Sequence, residues 1–347
     1  MTIASRIVAQ EQQHGPLTIM DVVVPDPSDH QVVVALESTG VCQSQVFWTR
    51  QPRSAPVLFG HEGYGRVQAV GRLVSGLSEG DHVLVTWLPR AAADGRAPEV
   101  ATADLGGVVG RSPNVYTWAE HVVADELYVH RLSGPVDPEA AVAACAVITG
   151  SGSVLNAPVE VAGRSVVVIG AGGVGLCAVA AARIRGAASI TVLDLVDDKL
   201  ALADKFGATR TFNAREQTPE EILAAMGAGA DLVVDCVANR SSVSSGTTLL
   251  RPGGLNSGPG GTLVLVGLPE GGFEVDLGPV VFGQRSIVGL LAGGCVQDDL
   301  DTFLDWHRRG ELDLRELVTH RYPFDAVGEA VDDLVAGRVT GRAILTV

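Results

Sequence analysis

The chain has 347 residues, long for one compact domain and comfortable for two. Hydrophobic residues make up 46% and charged residues 19%, enough for a large core, which excludes a disordered chain. The net charge of −15 argues against nucleic acid or an anionic membrane surface as a partner.

In chain order, the N-terminal stretch "MTIASRIVAQEQQ" shows no apolar core followed by a cleavage site, so no secretory leader is expected. Residues 1 to about 146 read as mostly β. "HQVVVAL", "GYGRVQAVG" and "DHVLVTWL" are short Val-rich runs bounded by Gly, Asp and Pro. From about residue 160 strands and helices alternate. "RSVVVIG" is a continuous apolar strand, and "VGLCAVAAARIRG" a helix with a basic end and a terminal Gly. "SITVLD" is a strand, "VDDKLALADKFG" a helix, and "ADLVVDCV" and "GTLVLVG" are further strands. Such alternation predicts a parallel sheet with helices on both faces. "RPGGLNSGPGGTLVLVG" adds a small loop insertion at 254–260 with no assigned role. "DDLDTFLDWHRRGELD" reads as an amphipathic helix and "GRAILTV" as a closing strand. The simplest assembly is α/β. A doubly wound parallel-sheet domain, residues 147–292, is inserted into a β-rich domain made of 1–146 and 293–347.

Five scattered cysteines fit reduced thiols of a cytoplasmic protein better than a disulfide frame. No uninterrupted apolar run of about 18 residues suggests a membrane span.

Two constellations carry chemistry. "VVVIGAGGVGLCAVAA" places Gly170-x-Gly172-x-x-Gly175 directly after a strand and at the opening of a helix. Gly170 permits the tight turn, Gly172 lets the backbone approach a pyrophosphate, and Gly175 lets helix and strand pack closely. The helix N-terminus offers amides and a positive dipole end. The next strand ends at Asp194, where an acid can hold the adenosine ribose hydroxyls and repel a 2′-phosphate. A glycine-rich turn without a ligand is the bland alternative, and the acid weighs against it.

The β-rich part offers Cys42 after a strand, His61 and Glu62 in "FGHEGYG", and Cys145 in "AACAVITG". Each alone is most simply a packed thiol or a satisfied imidazole. Together, two thiolates and an imidazole make a three-ligand set for a catalytic Zn²⁺ with an open position.

With these residues in place, the chain resembles the medium-chain, zinc-dependent alcohol dehydrogenases. The matching stretches are "GVCQS", "GHEGYGRVQAVG", "EGDHVL", "ACAVITGSGSV", "VIGAGGVGL", "LDLVDDK", "TLVLVGLP" and "GRAILTV", in the family's order over nearly the full length. The resemblance implies a GroES-like catalytic domain, a Rossmann cofactor domain and a zinc in the cleft between them. It implies Cys42, His61 and Cys145 as zinc ligands, with Glu62 as the carboxylate that can replace water. Ser44 would touch the substrate oxygen. For NAD(H), it implies contacts from Gly170, Gly172, Gly173, Val174 and Gly175, from Asp194 and Lys199 at the ribose, and from Thr149, Val266 and Leu268. Arg342 would reach the pyrophosphate, and Phe47, Trp48 and Trp87 would line a substrate pocket. A homodimer or homotetramer is expected by the same resemblance.

Three departures stand out. The lobe "LPRAAADGRAPEVATADLGGVVGRSPNVYTW" lacks the four cysteines that hold a structural zinc in many members, so one zinc and no second is expected. Gln45 stands where the family usually has Asp, and should still accept a hydrogen bond from His61 through its amide oxygen. Phe47 stands where horse-liver-like members carry a His that ends the proton relay.

The expected reaction is hydride transfer between NAD(H) and a primary or secondary alcohol, or the matching aldehyde or ketone. One rival is the superfamily's zinc-free reduction of activated C=C bonds, which the intact Cys/His/Cys set opposes. Another is a non-catalytic NAD(H)-binding protein, supported only by the altered residues around His61.

Overall fold

The computed structural model describes residues 3–53, 55–269 and 271–347. Contacts divide the chain into two compact units. One comprises Met1–Cys145, Val296–Leu304 and Leu314–Val347; the other comprises Ala146–Cys295 and Asp305–Asp313.

The first unit is built on two sheets, one of five strands and one of seven. Strand Gln31–Val41 is the hub of the larger sheet. It pairs antiparallel with Glu62–Val70, with His121–Asp125 and with the closing strand Arg342–Thr346. Its inward residues Val32, Val34 and Leu36 join Ile7, Leu58, Val83, Val85 and Val122 in one buried cluster. A second cluster, with Phe59, Trp118, Phe324 and Leu345, packs around the end of the strand. The register sets Thr39 opposite Gly63, and Val41 opposite Ala343. Residues far apart in sequence, at 42, 62 and 342, are thereby brought to one end of the strand.

The second unit is a six-stranded, all-parallel sheet. Numbered within the unit, its strands lie in the order 3-2-1-4-5-6, the doubly wound arrangement. Ser165–Ile169 is the central strand, flanked by Ser189–Asp194 and Leu232–Asp235. Its Val166, Val167 and Val168 are buried, as a strand covered on both faces requires. Helices Gly173–Ile184, Asp197–Phe206, Pro219–Met226, Arg240–Leu249 and Gly278–Phe282 link successive strands. The second helix stops where expected, at Gly207, whose φ of +115° suits only a residue without a side chain.

Ala146 and two stretches fall on the other side of the expected boundaries. Residues 293–295 belong with the second unit, not the first. The Asn156 amide donates to the Gly293 carbonyl at 3.0 Å, and a Cβ on Gly293 would meet the Thr149 carbonyl oxygen at 2.5 Å. Residues 305–313 also join the second unit, where Arg183 donates to the Glu311 carbonyl. The insertion around 254–260 is a tight turn closed by a Gly254–Gly258 bridge, with Leu255 at its exposed tip. No single helix among the described residues is long and apolar enough to cross a membrane.

Candidate metal centre

The first unit gathers the Cys/His/Glu residues from three places in the chain. Cys42 follows the last residue of strand Gln31–Val41 and precedes helix Gln43–Thr49. Its thiol makes no capping bond to that helix, so it is left to face the cluster. His61 lies between Gly60 and strand Glu62–Val70. Gly60 has φ +87°, and a Cβ there would strike the Trp118 backbone nitrogen at 2.3 Å, so only glycine makes this bend. Cys145 ends the short 3₁₀ helix Pro138–Ala144.

One ligand atom from each of Cys42, His61, Glu62 and Cys145 lies within 4.8 Å of all the others. The two sulfurs stand 3.9 Å apart, too far for a disulfide. Two thiolates on a tetrahedral zinc, each at about 2.3 Å, would stand about 3.8 Å apart. The donor set and its spacing therefore fit zinc.

Charge around the cluster points the same way. The sulfur of Cys145 beside it holds the Cys42 thiol well below its ordinary range, against the opposing effect of burial; Arg342 and His61 add to the lowering. Glu62 is fully buried and its Oε1 pairs with the Arg342 guanidinium. Its Oε2 is buried with no partner among the described residues. A buried carboxylate oxygen without a partner is costly, and a cation beside it would satisfy it. The space for this carboxylate exists because residue 40 is glycine: a Cβ there would fall 2.3 Å from the Glu62 carboxyl carbon.

Neither the Glu62–Arg342 pair nor the role of Gly40 was predicted from sequence. A signal existed: the lone charged residue in "GRAILTV" and the lone carboxylate in "GHEGYG" each require a partner once buried.

Ser44 lies at the edge of the cluster, its hydroxyl 3.1 Å from the Cys42 sulfur and 3.4 Å from His61 Nε2. Trp87 has its ring 6.4 Å from that of His61. Phe47 and Trp48 pack edge to face on each other, with Trp48 partly exposed. One expectation is corrected. The Gln45 amide oxygen does not accept from His61. The Gly60 N–H takes it at 2.7 Å, and Gln45 Nε2 faces His61 Nδ1 at 2.5 Å.

In the second unit the glycine turn has the expected geometry. Gly170 has φ +93°. A Cβ on Gly175 would sit 1.8 Å from the Gly170 carbonyl oxygen, whereas Gly172 faces open space. Gly173 and Val174 open the helix, and Asp194 ends the neighbouring strand. One Asp194 oxygen accepts from the Ala171 N–H at 2.7 Å; the other accepts from Leu195 and Val196. Lys199 is half-exposed on helix Asp197–Phe206, Thr149 half-buried on helix Ala146–Leu155, and Val266 and Leu268 follow strand Thr262–Leu265.

Comparison with known proteins agrees with this architecture. Residues 28–134 match the alcohol dehydrogenase GroES-like domain, and residues 173–309 match the zinc-binding dehydrogenase family. An alcohol dehydrogenase of Moraxella sp. (strain TAE123) is 31% identical over 344 residues, covering 95% of each chain. Alcohol dehydrogenase 1 of Pisum sativum is 28% identical over 93% of this chain and 92% of its own. Among solved structures, an alcohol dehydrogenase zinc-binding domain protein from Burkholderia ambifaria superposes with a TM-score of 0.88 at 27% identity, covering 100% of both chains. Benzyl alcohol dehydrogenase from Acinetobacter calcoaceticus shares the fold, with a TM-score of 0.87 at 22% identity over 99% of each chain. With its GroES-like and Rossmann parts and an oxidoreductase kinship along its full length, the chain belongs to the medium-chain zinc alcohol dehydrogenase family.

Proposed function

We propose that the protein is an NAD(H)-dependent alcohol dehydrogenase whose single zinc is held by Cys42, His61 and Cys145. The observation that carries this reading is the convergence of two thiols, one imidazole and one buried carboxylate oxygen without a partner among the described residues. Charge supports it: the Cys42 thiol is lowered well below its ordinary range, and Glu62 faces Arg342 through one oxygen only. Cys42, His61 and Cys145 would hold the zinc, and Glu62 could serve as an alternative donor.

When bound, zinc supplies a Lewis acid that lowers the pKa of an alcohol hydroxyl. The nicotinamide supplies the hydride acceptor. The chain's own groups do the rest. Cys42, already inclined to the thiolate, and Cys145 would provide the negative charge to retain the cation. Ser44 would relay the hydroxyl proton of the substrate, accepting it as its own hydroxyl proton passes on to solvent. Arg342, expected from the resemblance to reach the pyrophosphate, would also neutralise Glu62, with which it pairs. Trp87, with Phe47 and Trp48, favours apolar or aromatic alcohols.

The glycine turn would take the pyrophosphate at the start of helix Gly173–Ile184. Asp194, held in place by three backbone N–H groups, would take the ribose hydroxyls. A 2′-phosphate there would meet the Asp194 charge, with Asp197 and Asp198 close in sequence, at a cost on the order of 1 kcal/mol or more.

Turnover of a panel of aliphatic alcohols, aromatic alcohols and polyols with NAD⁺ and NADP⁺ tests the proposal. The expected result is oxidation of apolar or aromatic alcohols with the higher kcat/KM for NAD⁺. Absence of turnover across the panel, and of the reverse carbonyl reduction, would sink the enzyme reading. Equal or greater efficiency with NADP⁺ would remove Asp194 from the ribose site.

A further inference from the structure

The contact between Gln45 and His61 runs against what a zinc-ligating histidine needs. Gln45 is almost fully buried, so its amide must find its partners inside the protein. The Gly60 N–H, 2.7 Å from Oε1, can only donate. Turning the amide over would set its NH₂ against that N–H, two donors with no acceptor between them. The backbone therefore decides the orientation, and Nε2 of Gln45 is left facing His61 Nδ1 at 2.5 Å. A donating amide requires the lone pair on Nδ1, and in the neutral ring this puts the proton on Nε2.

Nε2 is also the nitrogen nearest the cluster, since Ser44 Oγ lies 3.4 Å from it and 3.1 Å from the Cys42 sulfur. A ligand nitrogen must offer its lone pair to the metal. Coordination through Nε2 then moves the ring proton to Nδ1, directly against the Gln45 NH₂. Either this contact becomes donor against donor, or the amide turns and the Gly60 N–H loses its partner.

We infer that Gln45 is a positioning residue that loosens the zinc site, because Gly60 compels it to offer His61 a donor where a bound metal calls for an acceptor. The inference rests on the assignment of Cys42, His61 and Cys145 as zinc ligands. A carboxylate of the same length removes the conflict, accepting from Gly60 N–H with one oxygen and from His61 Nδ1–H with the other. Gln45→Glu should therefore tighten the site, and Gln45→Ala, which deletes the opposing donor, should not weaken it.

The test is zinc transfer from the full-length protein to a colorimetric chelator, for the parent, Gln45→Glu and Gln45→Ala. Zinc loss should be about 10–100-fold slower for Gln45→Glu, the usual range for groups that orient a metal-bound histidine. Gln45→Ala should lose zinc no faster than the parent. A zinc-free sample gives an independent readout: nitrogen NMR of His61 should show the Nε2–H tautomer in the parent and the Nδ1–H tautomer in Gln45→Glu. A parent that binds one zinc but exchanges it no faster than Gln45→Glu, or a parent already in the Nδ1–H tautomer, overturns the inference alone. Failure of both parent and Gln45→Glu to take up zinc overturns the ligand assignment as well. Uptake by Gln45→Glu but not by the parent supports both.

Discussion

At the scale of single residues, the site depends on small groups that leave room and on charges that have been matched. Gly40 admits Glu62, Gly60 bends the chain before His61, and Arg342 meets Glu62 across 280 positions of sequence. The Ser44 hydroxyl touches both Cys42 and His61. If it takes the substrate proton, Ser44→Ala should lower kcat for alcohol oxidation by about 10²–10⁴, the range for a lost acid–base group. Zinc content and NAD⁺ binding should be unchanged. Oxidation by Ser44→Ala at the parent rate would show that the proton leaves by another route. The residue types of the cluster were legible in the sequence, because cysteines and histidines are few and their chemistry is narrow. The direction of the Gln45 hydrogen bond was not. It is decided by the N–H of Gly60, a backbone group that carries no sequence signal, at a bend 15 residues away.

At the scale of elements, the lobe between strands His82–Thr86 and His121–Asp125 is tied to the first unit by ion pairs. Arg96 grips both oxygens of the buried Asp125, at 2.6 and 3.0 Å, and reaches Glu126 at 3.2 Å. The Glu99 and Leu127 N–H groups also donate to Asp125, and Arg90 pairs with Glu126. Burial alone would raise the Asp125 pKa, but Arg96 and these N–H groups outweigh it and hold the carboxyl below its ordinary value of 3.8. A depressed folded pKa contributes stability that is present above the ordinary value and is lost as pH falls through the folded one. Asp125→Asn should cost about 1.5–3 kcal/mol at neutral pH, the range for hydrogen bonds to charged groups. It should also flatten the loss of stability below pH 3.8. Denaturant unfolding of both forms as a function of pH measures this. Equal acid slopes would mean that Asp125 does not anchor the lobe. The sequence showed the missing cysteines of this lobe but not its alternative anchor. Arg96 and Asp125 are ordinary surface types until folding buries them together.

At the scale of the whole molecule, the parallel sheet was the most readable part. Its four inner strands read as apolar runs because both faces are covered, whereas the edge strands Arg210–Asn213 and Ser286–Gly289, RTFN and SIVG, are half-exposed and were not predicted from sequence. The division of the chain was less readable at its second crossing. Residues 305–313 read as the end of an amphipathic helix and its exit, and nothing local assigns them to one unit; the tie between Arg183 and Glu311 does. The proposal to test is a metal at Cys42, His61 and Cys145, which sulfur spacing and the Glu62 oxygen without a partner among the described residues support. The most direct measurement is elemental analysis of chelator-free protein, run with an alcohol-oxidation assay on the same sample. The account predicts close to one zinc per chain, with activity lost as zinc is removed and regained when it is restored. A zinc content near zero in a sample that is fully active would contradict it.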